Sequence, residues 1–342
     1  GFIAIGSPTQ LNTNLVSTNY ITIDGSNTIG GTTKDLTISG ATTSNTKSVI
    51  RIFGNNDFIT IKNCIINNNC TSASSTAPIN VTNWFAVSNF TPDNLTIQNN
   101  TLNSIAANGS IGIQLSISTG TPTTGMTGIV IQNNIIFARA SRAIFTNYVN
   151  DATISGNSIS LDQQASGLNG AGIALLSGTA AAGTFNIFNN TFTKLATVNT
   201  GAAGASIGII GIENQLSTPK IVNIYNNVIR GFQTTAAVTN VRIYGIRHTG
   251  SSTTNIYNNS IYFPDLTNMT TFGSSFIAGI AFATAATTEA APSGVMNVKN
   301  NAIFMDESTM KVYAIRRPGT GGTFTSDNNV LYVNPSNTSG NI

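Results

Sequence analysis

One eight-residue unit recurs along this chain and limits what it can fold into more than any other feature. It reads apolar-x-apolar-x-Asn-Asn-x-apolar. Copies stand at 95–102 (LTIQNNTL), 129–136 (IVIQNNII), 152–159 (ATISGNSI), 185–192 (FNIFNNTF), 222–229 (VNIYNNVI), 254–261 (TNIYNNSI), 296–303 (MNVKNNAI) and 324–331 (FTSDNNVL). ITIKNCII at 59–66 is a variant, and LTISGATT at 36–43 aligns with it as an earlier copy. Self-similarity at this spacing marks a solenoid.

Alternation with period two describes a strand with one buried face. In 222–229, Ile224 is expected to point in and Tyr225 out. Asn226 and Asn227 turn a corner, and Ile229 points in again. Asn suits a sharp corner because it tolerates the left-handed backbone region and bonds its own turn. The second corner position falls at Cys64, Asn100, Asn134, Asn157, Asn190, Asn227, Asn259, Asn301 and Asn329, with Ala41 one copy earlier. The intervals run from 23 to 42 residues, and the two of 23, Ala41 to Cys64 and Asn134 to Asn157, are read as the bare period. A constant unit with variable spacers means a fixed scaffold carrying loops of different length.

A bare period holds a first strand (48–53, or 142–145), a polar turn, a second strand (58–63, or 152–155), the corner and a short third strand. Three short strands in so few residues fit a coil in which each strand pairs in parallel with its equivalent one turn on. The expected fold is therefore all-β: a parallel β-helix of roughly 9–11 coils, three short strands to a coil, with an asparagine ladder at one corner. It forms a single domain over 1–342, with a lead-in at 1–19, regular coils over 20–333 and a tail or link at 334–342.

Composition agrees with a folded chain. Only 8% of residues are charged, against about 25% in an average soluble domain. Regularly spaced Ile, Val and Phe argue against disorder. The net charge is +3 with no basic stripe, so nucleic acid is not an expected partner. No apolar run reaches the ~18 residues of a membrane span. The low charge and the wealth of Asn, Ser and Thr suggest a secreted bacterial surface protein, outside the cell. The sequence opens on Gly1 with no initiator Met or leader, so a trimmed segment of a longer precursor is expected. Cys64 and Cys70 lie six apart, which leaves a local disulfide and two separate thiols both open.

The pattern GI-x-L followed by apolar-Thr-Ile-x-Asn-Asn-x-apolar resembles the right-handed parallel β-helix repeats of the pectate-lyase-like superfamily, over about residues 20–333. The resemblance implies right-handed coils and an asparagine ladder at this corner. It implies no single function, because that superfamily holds polysaccharide lyases, glycoside hydrolases, tailspikes and adhesins. Its enzymes commonly work on the outer face of a strand sheet with clustered carboxylates, Ca²⁺ and an Arg or Lys.

That chemistry finds little support in the residues. The first strand recurs with an aligned Ile, and the next residue, expected to point outward, reads Gln114, Phe145, Ala174, Glu213, Arg247, Ala281, Arg316. One carboxylate stands in this column, whereas glycoside hydrolysis needs two within about 5–9.5 Å. No equivalents of the Asn-Thr-Asp, Asp-Asp, His-Gly and Arg-Ile-Lys motifs of polygalacturonases occur. Asp35, Asp57, Asp93 and Asp151 precede the second strand, where Asp caps turns. Glu213, Arg247 and His248 form the best polar cluster, read as a surface ion pair of small energy, with Arg316 extending a basic patch. No catalytic residue, metal ligand or cofactor is assigned.

Two outward aromatic columns are stronger candidates for ligand contact. Before the corner, Phe188, Tyr225 and Tyr257 occupy consecutive coils; beyond it, Tyr262, Phe304 and Tyr332 do. Such rings bind sugars or a partner surface, or simply stack on one another. The leading expectation is a non-catalytic module with an adhesive, structural or fibre-forming role. Its partner would be a second copy stacked head to tail, or a surface glycan. The rivals are a polysaccharide lyase or hydrolase with an unrecognised site and a carbohydrate-binding β-helix. An ice-binding face ranks lower, because the Thr residues form no evident flat column.

Overall fold

The structure, a computed structural model, describes residues 3–5, 18–40, 48–70, 77–82, 92–105, 111–117, 125–139, 141–163, 170–176, 181–197, 206–217, 219–234, 241–266, 275–284, 290, 292–308 and 310–334. Among these there is no α-helix. The strands form three sheets of 10, 10 and 11 members, and successive members of each sheet are every third or fourth strand of the chain. All pairings are parallel, for example Ile221–Tyr225 on Thr253–Tyr257. The protein is a parallel β-helix.

Each sheet carries one column of large apolar residues into the lumen. In the first sheet it runs Ile113, Ile144, Ile173, Ile212, Ile246, Ile280. In the second it runs Ile61, Ile97, Ile131, Ile154, Ile187, Ile224, Ile256, Val298. The third contributes Ile66, Leu102, Ile136, Ile159, Phe192, Ile229, Ile261, Ile303. All are buried. Burying one such side chain contributes about 1.5–3 kcal/mol, so the alternation read in the sequence dictates which face of every strand turns inward.

The Asn-Asn corner divides its labour. The first residue takes the left-handed conformation, with φ of 52° at Asn99, 56° at Asn133, 55° at Asn226 and 57° at Asn258; Gly156 replaces it in one coil. The second residue builds the ladder. Nδ2 of Asn227 donates to Oδ1 of Asn259 at 3.0 Å and to the Ile187 carbonyl at 2.9 Å, while the Asn227 N–H donates to the same Oδ1 at 3.0 Å. Equivalent bonds link Asn100 to Asn134, then Asn157, Asn190 and Asn227, and Asn259 to Asn301 and Asn329. Both amide hydrogens and both oxygen lone pairs are used, so a buried amide costs nothing here.

Two expectations change. LTIS of 36–43 is a third-sheet strand, Leu36–Ser39, in register with Cys64–Asn68. Leu36 is thus the register partner of Cys64, so the Ala41 to Cys64 interval is not a period, and Ala41 lies outside the described residues; the same coil's second-sheet strand is Thr22–Asp24. The lead-in already supplies a first-sheet strand, Ile3–Ile5, paired with Ser48–Ile52. The next first-sheet strand is Ala77–Thr82; Trp84 lies outside the described residues. No disulfide joins Cys64 and Cys70, and both are buried. The Cys64 N–H donates to Asn100 Oδ1 at 3.0 Å, so this cysteine occupies a ladder position without continuing it. Burial, chiefly, pushes its thiol up to about 11.

Candidate functional site

The first-sheet column is in the expected register: Gln114, Phe145, Ala174, Glu213, Arg247, Ala281 and Arg316 are consecutive partners. Its exposure is not as expected. Glu213 is 2% and Arg247 0% accessible. A second apolar cluster, including Phe145, Ile210, Tyr244, Phe276 and Ala281, covers the outer face of this sheet. Arg247 Nη1 lies 3.6 Å from Glu213 Oε1, and its Nη2 donates to the Thr284 carbonyl at 2.8 Å. The pair is thus a buried structural one, and the reading as a surface ion pair is corrected. Arg316 lies over the Phe276 and Tyr313 rings, at 4.4 and 4.5 Å. His248 points the other way, into the lumen. It is fully buried, stacks on Phe282 at 5.3 Å, and its Nδ1 accepts from Asn214 Nδ2 at 3.1 Å. Burial lowers its pKa to about 4. The three polar residues singled out in the sequence are therefore out of a ligand's reach.

The aspartates that precede the second strand hold turns. Asp57 Oδ1 accepts from the Asp93 N–H at 3.1 Å, Asp93 Oδ1 from the Thr127 N–H at 2.6 Å, and Asp151 Oδ1 from the Gly128 N–H at 2.7 Å. Asp35 Oδ2 accepts from Asn27 and Thr33. Asp24 pairs with Lys62 at 3.0 Å and Asp162 with Lys194 at 2.9 Å. Among the described residues, no three His, Cys, Asp or Glu side chains are grouped to hold a metal ion.

The outer face of the second sheet is different. Phe188, Tyr225 and Tyr257 stack along the solenoid axis, with centroids 4.9 Å apart at both steps and planes within 5°. Lys299 and Asp327 continue the column. Beside it runs a second amide ladder that the sequence reading missed. Asn223 Nδ2 donates to Asn186 Oδ1 (2.9 Å), Asn255 to Asn223 (2.9 Å), Asn297 to Asn255 (2.8 Å), and Thr325 Oγ1 to Asn297 (2.7 Å). Its signal was the repeated Asn two residues before the aromatic, in FNIF, VNIY, TNIY and MNVK. In the N-terminal half the same column reads Thr22, Thr60, Thr96, Val130, Thr153. A Thr column therefore does exist, contrary to expectation, although Asp24 and Lys62 interrupt the adjacent column. A hollow of about 780 Å³ opens below Tyr257, walled by Asn255, Asn297, Lys299, Thr325 and Asp327.

The third-sheet column is looser. Phe304 and Tyr332 stack at 5.5 Å, whereas Tyr262, in register with Phe304, borders a separate hollow of about 390 Å³ with Arg230 and Asp265. Compared with models of protein families, with curated proteins and with solved structures, the chain matches none.

Proposed function

We propose that this protein is a non-catalytic β-helix module of the extracellular surface, adhesive or structural in role, that meets a glycan through the outer face of its second sheet. The observation that carries the reading is the pair of parallel columns on that face, one of stacked rings and one of linked amides. Amide groups beside aromatic rings suit the alternating polar edges and apolar faces of sugars. A lyase or hydrolase is disfavoured because one carboxylate, Asp327, stands among the described residues lining the hollow, whereas glycoside hydrolysis needs a pair. Kinship with the pectate-lyase-like superfamily rests on the repeat pattern and the corner ladder.

Of the two partners considered, a glycan fits better than a second copy. Stacking the last described coil of one chain on the first described coil of another, in register, would set Asp327 against Asp24 and Ser326 against Ile23, since each pair shares a column. Like charges directly opposite each other destabilise a sheet. The test is retention on an array of immobilised glycans. Asn223→Arg, which sets a long charged side chain on the second sheet's outer face, should lower retention; Ser160→Arg, on the third sheet, should not. Equal retention by all three proteins would contradict the assignment of the face.

A further inference from the structure

We propose that the hollow below Tyr257 is a saccharide subsite that seats one uncharged pyranose ring against the Tyr257 ring face. The inference rests on the glycan-binding reading above and names its anchor. Three observations place it here and not elsewhere along the face.

The first is the end of the aromatic stack. Tyr225 has a ring on each side, so neither of its faces is open to a sugar. Tyr257 is stacked on Tyr225 alone, and the next residue of its column is Lys299. One face of Tyr257 is thus turned into the hollow. Apolar C–H faces of a pyranose pack on such a surface.

The second is the state of the neighbouring amides. Asn255 donates one hydrogen to Asn223 and accepts one from Asn297. An amide has two hydrogens and two lone pairs. One of each remains at Asn255, on a half-exposed side chain beside the ring. These suit sugar hydroxyls, which both donate and accept.

The third is the charge at the rim. Lys299 and Asp327 are neighbours in register, yet neither takes part in the ion pairs of the described residues. Their charges cancel across the hollow, which favours a neutral ring over a uronate. Asp327 can accept from two adjacent hydroxyls at once. A volume of about 780 Å³ lies within the usual range for small-ligand sites.

Calorimetry of the full chain with hexasaccharides of glucose, xylose, N-acetylglucosamine and galacturonate tests this. A neutral hexasaccharide should bind. Tyr257→Ala should weaken it at least tenfold and Tyr257→Phe less than threefold, with both variants keeping the wild-type thermal midpoint within a few degrees. Ser160→Arg, on the outer face of the third sheet, should bind as wild type. Undiminished binding by Tyr257→Ala, or preference for the galacturonate chain, overturns the subsite while leaving glycan binding by the face intact. Absence of binding to all four overturns both.

Discussion

Asn227 and Asn259 sit one coil apart, and the Oδ1 of Asn259 accepts both the side-chain and the backbone N–H of Asn227, each at 3.0 Å. The relationship is directional: every ladder amide holds the residue before it and is held by the one after. Asn227→Ala would deprive the Asn190 donors and the Ile187 carbonyl of their partner. Each orphaned buried group costs about 1–3 kcal/mol, so the variant should lose at least about 3 kcal/mol in urea unfolding. Asn226→Gly, at the left-handed residue beside it, should stay within about 1 kcal/mol of wild type.

The buried pair on the first sheet makes a second prediction. Glu213→Gln leaves Arg247 without its counter-charge in a fully buried place. Breaking a buried pair on one side costs about 3–5 kcal/mol, whereas replacing both partners by apolar groups of similar size is often neutral. The double variant Glu213→Leu with Arg247→Met should therefore be more stable than Glu213→Gln alone. Unfolding midpoints of the three proteins check the order.

His248 gives the fold a pH dependence. Its folded pKa, about 4, lies below the ordinary 6.5 because burial disfavours the charged ring. Between those values the unfolded chain binds the proton and the folded chain does not, so stability falls as pH drops from 6.5 towards 4. The loss approaches about 3 kcal/mol at its limit. Asp93, pushed up by burial, acts in the opposite sense, so the contribution of His248 is read as a difference. Between pH 7.5 and 4.5, wild type should lose more stability than His248→Gln, even though the variant is weaker at pH 7.5 through loss of the Asn214 contact.

The solenoid was legible in the sequence because a parallel β-helix writes each coil as a copy of the last. The isoleucine columns, the corner asparagines and the register of the first-sheet column all follow from aligning those copies. LTIS at 36–39 was misplaced because second-sheet and third-sheet strands share the same alternation, and only the following residues tell them apart: Asn-Asn after one, Gly-Ala-Thr-Thr after the other. The burial of Glu213 and Arg247 was not legible. It depends on Tyr244 and Phe276 gathering outside the sheet, which no single repeat encodes. The outer amide ladder was legible but overlooked, since Asn186, Asn223, Asn255 and Asn297 align as plainly as the corner does.

The in-register mismatch of Asp327 with Asp24 predicts that the chain remains a monomer in velocity sedimentation at low ionic strength. An assembly that forms there and disperses on Asp327→Lys would contradict it, because that change turns the contact from repulsive to attractive.

The central claim, that this β-helix binds a glycan without transforming it, is tested most directly by incubating the protein with insoluble polysaccharides and measuring two quantities in one tube. The account predicts that protein is carried into the pellet with at least one polysaccharide and that no new reducing ends or unsaturated sugars enter the supernatant. Soluble products accumulating in proportion to the protein added would contradict it.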